Sequence, residues 1–212
     1  MGTPRSPAAI WYEKHVLSTI LDRAMRGVEP IRAELLASAS GRVVEIGFGT
    51  GTNLPHYPAA VTELVAVEPS AGLARVAEER LRAWGRPFEL VEASASRPLP
   101  LEAGSVDAAV LTFVLCSVRR VPELLAELRR LLRPGAPVFV AEHVLAHAGL
   151  HAASQRALRP LWKACLGGCD PARDSRAALE AAGFDTADLH ARPLALPWPV
   201  RPGLVGVARR RA

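Results

Sequence analysis

Three glycines on alternate positions follow a run of β-type residues in Val43-Val44-Glu45-Ile46-Gly47-Phe48-Gly49-Thr50-Gly51-Thr52-Asn53, and this stretch narrows the fold further than any other. Gly47, Gly49 and Gly51 can take backbone angles closed to other residues, and without side chains they let a ligand approach the main chain. A buried strand that enters such a loop, with a helix to follow, is the first βα turn of a nucleotide-binding sheet. The spacing then separates two kinds of ligand. A dinucleotide fingerprint wants glycine at its first, third and sixth positions. Here the sixth position is Thr52 and the third glycine comes at the fifth, so NAD binding is expected to be weak.

The rest of the chain repeats the strand-then-helix pattern. A second strand, 63–68, ends on Glu68, 21 residues after Gly47, where a nucleotide-binding sheet places the carboxylate that accepts both ribose hydroxyls. Ser70 is a natural N-cap for a helix over 71–82. A third strand, 88–92, runs into Ala93-Ser94-Ala95-Ser96. A fourth, 106–112, is almost continuously apolar, as strands buried on both faces are. A helix over 121–132 has Pro122 in its first turn, and strand five covers 138–142. βα units in series argue for right-handed crossovers and a doubly wound parallel sheet. Helices are expected over 154–166, with a break at Pro160, and over 175–182, and two late strands, 186–194 and 204–208, suit an antiparallel hairpin at one edge. Apolar residues at helical spacing predict helices over 8–26 and 29–39. The chain therefore divides into an N-terminal helical cover, 1–40, and a ligand-binding domain, 41–212.

Glu-x-Gly-x-Gly-x-Gly at Glu45 to Gly51 resembles motif I of class I S-adenosylmethionine-dependent methyltransferases. So do the acidic end of strand two, the Leu132-Arg133-Pro134-Gly135 turn and the final hairpin. The resemblance implies an α/β fold: a doubly wound, mostly parallel seven-stranded sheet with an antiparallel C-terminal strand. It implies S-adenosylmethionine as cofactor, held by Glu45, Gly47, Phe48, Gly49, Thr50, Gly51 and Asn53, by Glu68 and Pro69, and by Thr112. The loop after strand three would reach the adenine; an acidic residue is frequent there, and here Ser94 or the Ala95 amide takes its place. Leu111 to Val118, Glu142-His143-Val144, Gln155 with Leu158-Arg159-Pro160-Leu161-Trp162, Gly168-Cys169 with Arg173, and Leu179 to Phe184 are similar to the methyltransferase-like proteins that S-methylate alkyl thiols. Those members carry a membrane-anchoring N-terminal segment, which this sequence does not show.

Methyl transfer from a sulfonium is an in-line displacement whose leaving group needs no proton, so alignment and exclusion of water supply much of the catalysis. A free thiol ionises near pH ~8.5, and a modest electropositive bias supplies enough thiolate. The lack of an obvious acid/base pair therefore favours a thiol acceptor. His143, at the carboxyl edge after strand five, either orients the acceptor, accepts its proton or simply bonds the loop. Trp11, Tyr12, Cys116 and Arg173 are further candidates on the acceptor side, although Cys116 also reads as core and Arg173 as a partner for Asp170. No metal site is expected: a glycine at 149 breaks the helix that would align His143, His147 and His151, and Cys165-x3-Cys169 has no second pair. Removal of residues 1–26 is expected to impair methyl transfer more than cofactor binding.

Alternatives of the same fold are lipid or quinone methyltransferases; of another class, a cofactor-binding protein without turnover. The net charge of +5 invites a nucleic-acid partner, yet 24 of the 26 basic residues are arginines dispersed along the chain rather than gathered in one stripe, apart from Arg209-Arg210-Arg211. A specific nucleic-acid groove is not expected, and neither is the Asn/Asp-Pro-Pro-Tyr motif of base-modifying enzymes met after strand four. Three cysteines without a disulfide pattern suit a reducing compartment. With no signal peptide and no apolar run near the ~20 residues of a spanning helix, the expected location is cytoplasmic.

Overall fold

The computed structural model describes residues 6–165 and 168–211. The strands are β1 (Gly41–Ile46), β2 (Val61–Val67), β3 (Phe88–Val91), β4 (Ala108–Thr112), β5 (Pro137–His143), β6 (Phe184–Pro193) and β7 (Pro202–Arg210). They form one sheet in the order β3-β2-β1-β4-β5-β7-β6. The first five are parallel, and β7 inserts antiparallel between β5 and β6. This is the seven-stranded arrangement expected. Chain order reverses between β1 and β4, and the crevice outside such a switch point is where open α/β sheets hold ligands.

The helices are α1 (Pro7–Tyr12), α2 (Ser18–Met25), α3 (Glu29–Leu36), α4 (Ala71–Trp84), α5 (Val121–Leu131), α6 (Gly149–Cys165) and α7 (Ser175–Ala181); a π turn, Glu13–Leu17, joins the first two. Side chains alternate across the sheet. Val44, Val65, Ala109 and Leu111 enter one core with Leu124, Leu128 and Leu179 of α5 and α7. Val43, Leu64, Ala66 and Val110 enter a second with Ile31, Leu35, Ala77 and Leu81 of α3 and α4. Every residue of β4 is buried, which explains its unbroken apolar sequence. Ser70 caps α4 by accepting from Leu73 N at 3.3 Å, and Asp174 caps α7 by accepting from Ala177 N at 3.0 Å.

Two expectations on boundaries fail. Val106 does not belong to β4; it makes only an isolated bridge to Leu132. Helix α6 begins at Gly149 and runs through Pro160 without a break. A proline removes one helical bond, but tertiary bonds hold the turn before it: Gln155 bonds to four backbone groups and Arg159 to Asp170. Among the described residues no helix is long and apolar enough to cross a membrane.

Candidate active site

The glycine loop leaves β1 and is pinned to the end of β2, where Gly47 N and Phe48 N both donate to Val67 O at 2.9 and 3.1 Å. Gly47, Gly49 and Gly51 have φ of 70°, 59° and 81°, the left-handed region in which a side chain is strained. A Cβ on Gly47 would stand 2.5 Å from Val114 Cγ2, whereas one on Gly49 would meet only the Gly47 carbonyl oxygen, at 3.9 Å. The loop therefore touches the segment after β4 at one glycine and opens to a ligand at the next.

Glu68 closes this half of the site. Its Oε2 accepts from Gly49 N and its Oε1 from Ser70 N, both at 2.8 Å. These two bonds tie the end of β2 to the glycine loop and to the start of α4. Ala95 is buried and Ser94 exposed; the Ser94 hydroxyl accepts from Ser96 N at 3.4 Å. The segment beyond them is clamped by Glu127, which accepts from Leu99 N at 2.7 Å and pairs with Arg130 at 2.6 Å.

Under the loop lies a buried polar network. Asn53 Nδ2 donates to Glu45 Oε1 at 2.9 Å and lies 3.0 Å from Thr112 Oγ1, and Tyr57 donates its hydroxyl to Glu45 Oε2 at 2.5 Å. Arg32 of α3 donates to Asn53 Oδ1 and, at 3.2 Å, to Thr112 Oγ1. Burial raises the Glu45 pKa to about 7, against the pull of Tyr57, Arg32 and Asn53. Glu45, Asn53 and Thr112 are thus bonded to one another behind the glycines. Arg32 and Tyr57 were not expected there. The only sequence signal for Arg32 is a basic residue on the apolar face of its helix, beside Ile31, Leu35 and Leu36.

The second half of the edge lies beyond β4 and β5. Phe113 has φ 58°, an uncommon conformation for a bulky residue and one found at functional sites. Glu142, fully buried, turns the following segment by accepting from Val114 N, Leu115 N and Cys116 N at 2.7, 2.8 and 3.4 Å; burial raises its pKa to about 7, against the pull of those donors. His143 Nε2 stands 2.9 Å from Cys169 Sγ. The ligand atoms of Cys116, His143 and Cys169 all lie within 4.8 Å of one another. A hydrogen bond from the Cys116 thiol holds the Cys169 thiol below the ordinary range, with help from His143 and against its burial. The same contact, with burial, pushes Cys116 up. His143 and Cys116 were candidates singly; Cys169 was weighed only with Cys165, a spacing without a second pair, and its partner His143 lies 26 residues away in sequence.

Other candidates fall elsewhere. Arg159 and Lys163, not the Arg173 guanidinium, hold the Asp170 carboxylate; Arg173 Nη2 donates to Val118 O at 2.9 Å and its backbone N to Asp170 O at 3.3 Å. Trp11 and Tyr12 are 60% and 49% exposed, and a shallow recess at Trp11 is lined by Ile10, Lys14, His15 and Arg75. Pro69 is exposed. His151 stacks on Trp198 at 4.6 Å, apart from His143. The Cys165 side chain lies outside the described residues. The N-terminal helices instead reach the glycine loop through Asp22, which accepts from Thr50 Oγ1 at 2.5 Å and pairs with Arg80.

Residues 44–140 match the family model described as a methyltransferase domain. The chain is 32% identical to the thiol S-methyltransferase TMT1B of Homo sapiens, over 93% of this chain and 85% of that protein. It is 34% identical to the human thiol S-methyltransferase TMT1A, over 81% and 72%. A solved SAM-dependent methyltransferase from Leishmania major superposes with a TM-score of 0.69 at 14% identity, covering 95% of this chain and 81% of that one; at that identity the likeness concerns the fold.

Proposed function

Because the chain belongs to the methyltransferase family that includes the human thiol S-methyltransferases, we propose that it carries the methyl group of S-adenosylmethionine to the sulfur of a small thiol. The observation that carries this reading is the joint between the two halves of the carboxyl edge. Gly47 packs on Val114, two residues before Cys116, so a cofactor in the glycine loop lies next to the cluster of Cys116, His143 and Cys169.

The residues present fit the cofactor. The open face of Gly49 admits a ligand against the backbone, Glu68 would accept the ribose hydroxyls, and Ser94 and Ala95 would line the adenine. Glu45, Asn53 and Thr112 support this loop from behind. Bound there, S-adenosylmethionine supplies an electrophilic methyl on a sulfonium whose departing sulfur needs no proton. The chain's part is to hold the acceptor in line and to keep water out. Phe113, half-buried just after β4, offers apolar surface at this edge, and His143 orients the acceptor. The thiol as acceptor is supported by the named activity of relatives that match nearly the whole chain.

Calorimetry with S-adenosylhomocysteine and with NAD tests the cofactor, and incubation with labelled S-adenosylmethionine and pools of thiols, amines, phenols and lipids tests the acceptor. Tight binding of S-adenosylhomocysteine, weak binding of NAD and label entering the thiol pool are expected. Label entering only the phenol or lipid pool would move the function to the runner-up of the same fold.

A further inference from the structure

The geometry points to a binding site for a thiophilic divalent cation, zinc by chemical class, held by Cys116 Sγ, Cys169 Sγ and His143 Nε2, with its fourth position open to the acceptor thiol. The acceptor role rests on the thiol reading above; the binding site does not.

Three separate parts of the chain converge here: the segment after β4, the end of β5 and the segment after α6. Their donor atoms lie within 4.8 Å of one another, with Cys116 and His143 buried and Cys169 half-buried. Zinc–sulfur bonds of about 2.3 Å and zinc–nitrogen bonds of about 2.0 Å at tetrahedral angles place donors about 3.5–3.8 Å apart, so an ion fits after shifts of about 1 Å or less. The backbone holds the three together. Cys116 N donates to Glu142 Oε2 at 3.4 Å and Cys116 O accepts from Asp170 N at 2.9 Å, so the neighbours of the other two ligands grip the first one. Asp170 is fixed in turn by Arg159 and Lys163. Donors preorganised in this way are what a metal site requires.

Charge agrees with a cation: once both thiols are ionised, two thiolates this close would repel each other, and a divalent ion cancels both. His143 Nδ1 is buried without a partner among the described residues, and it stays so whether a proton or a cation sits at Nε2, so the site stands on the convergence of the three donors. Two thiolates and one imidazole are a zinc set, and three protein ligands with an open fourth position mark a reactive rather than a structural site.

An acceptor thiol that takes the fourth position releases its proton to solvent and stays on the metal as a thiolate. Its sulfur then forms a bond to the methyl carbon as the bond from that carbon to the sulfonium sulfur breaks, and the electron pair of the broken bond stays on the departing sulfur. The negative charge of the thiolate and the positive charge of the sulfonium cancel. The resulting thioether is a weaker ligand than the thiolate and leaves.

The test uses the whole chain, stripped of metal under reducing conditions and dialysed against zinc without S-adenosylmethionine. About one zinc per chain is expected by elemental analysis, and Cys116→Ser or Cys169→Ser should weaken retention by more than about tenfold. Cobalt(II) in place of zinc should show a thiolate charge-transfer band, and its visible spectrum should change on addition of ethanethiol. Zinc should also protect Cys169 of the unaltered protein from iodoacetamide, which needs no variant to fold. Absence of retained zinc, equal retention by the Cys116→Ser/Cys169→Ser double variant, or alkylation of Cys169 at the same rate with and without zinc would overturn the site. If ethanethiol leaves the cobalt spectrum unchanged while zinc-free protein methylates it at full rate, the acceptor role fails and the thiol reading stands. If no thiol is methylated by either form, the thiol reading fails, and the binding results alone decide the metal site.

Discussion

Glu45, Glu68 and Glu142 are all buried carboxylates, and each is matched by different partners. Glu142 meets three backbone N–H groups, Glu45 an amide, a phenol and the Arg32 charge, and Glu68 two N–H groups of the cofactor edge. In the proposed reading Glu68 is the one of the three that meets the cofactor. Glu68→Ala should weaken S-adenosylhomocysteine binding by about ten- to a hundredfold, the worth of a charge-assisted hydrogen bond of ~1.5–3 kcal/mol. Calorimetry that finds unchanged affinity removes this residue from the cofactor site. Glu45 and Glu68 were legible in sequence because a βα turn fixes their offsets from the glycines. Arg32 and Cys169 were not, since each meets the site through tertiary packing: Arg32 crosses 80 residues to Thr112, and Cys169 reaches back across 26 to His143.

At the scale of elements, the π turn and α4 explain how the N-terminal helices dock. The turn carries Glu13, whose Oε2 accepts from Ser70 Oγ at 2.7 Å and Gly72 N at 3.2 Å. A Cβ on Gly72 would stand 2.3 Å from Glu13 Cβ and 2.6 Å from Ile10 O, so only glycine permits this approach. Gly72→Ala should destabilise the fold by ~1–3 kcal/mol, as overpacking does, and expose the first helices to protease. Equal unfolding midpoints and equal cleavage would show that the helices do not rest there. Because Asp22 of α2 bonds Thr50 in the glycine loop, loss of residues 1–26 should weaken cofactor binding as well as methyl transfer, a revision of the expectation from sequence. Glu127 joins α5 to the segment after β3. Its carboxyl is held below the ordinary carboxylate range, first by Arg130 and also by Leu99 N, against its burial. A depressed carboxylate contributes stability above its unfolded pKa that is lost as pH falls through its folded one. Urea midpoints between about pH 6 and about pH 3 should therefore fall less steeply in Glu127→Gln than in the unaltered protein; parallel curves would contradict this.

At the scale of the molecule, the strand count and the mostly parallel sheet were legible because parallel strands buried on both faces must be apolar, and turns must carry glycine, proline or a cap. The run through Pro160 was not, since the bonds that sustain it come from residues up to 44 positions away, as between Gln155 and Pro199. The positive net charge likewise resolves only in three dimensions. Arg42, Arg80, Arg130, Arg133, Arg159 and Arg192 each face a carboxylate, which leaves less of a continuous basic surface. Binding to RNA or DNA should be weak and fall steeply with salt; retention of one specific oligonucleotide at physiological salt would contradict that. The account stands most directly on the atom that receives the methyl group. Matched acceptors that differ only at that atom, ethanethiol, ethanol and ethylamine, should be incubated with the purified chain and S-adenosylmethionine and the products weighed by mass spectrometry. The account predicts the methyl thioether with the thiol and no product above background with the other two. An O- or N-methyl product formed faster than the thioether, or no transfer to sulfur at all, would contradict it.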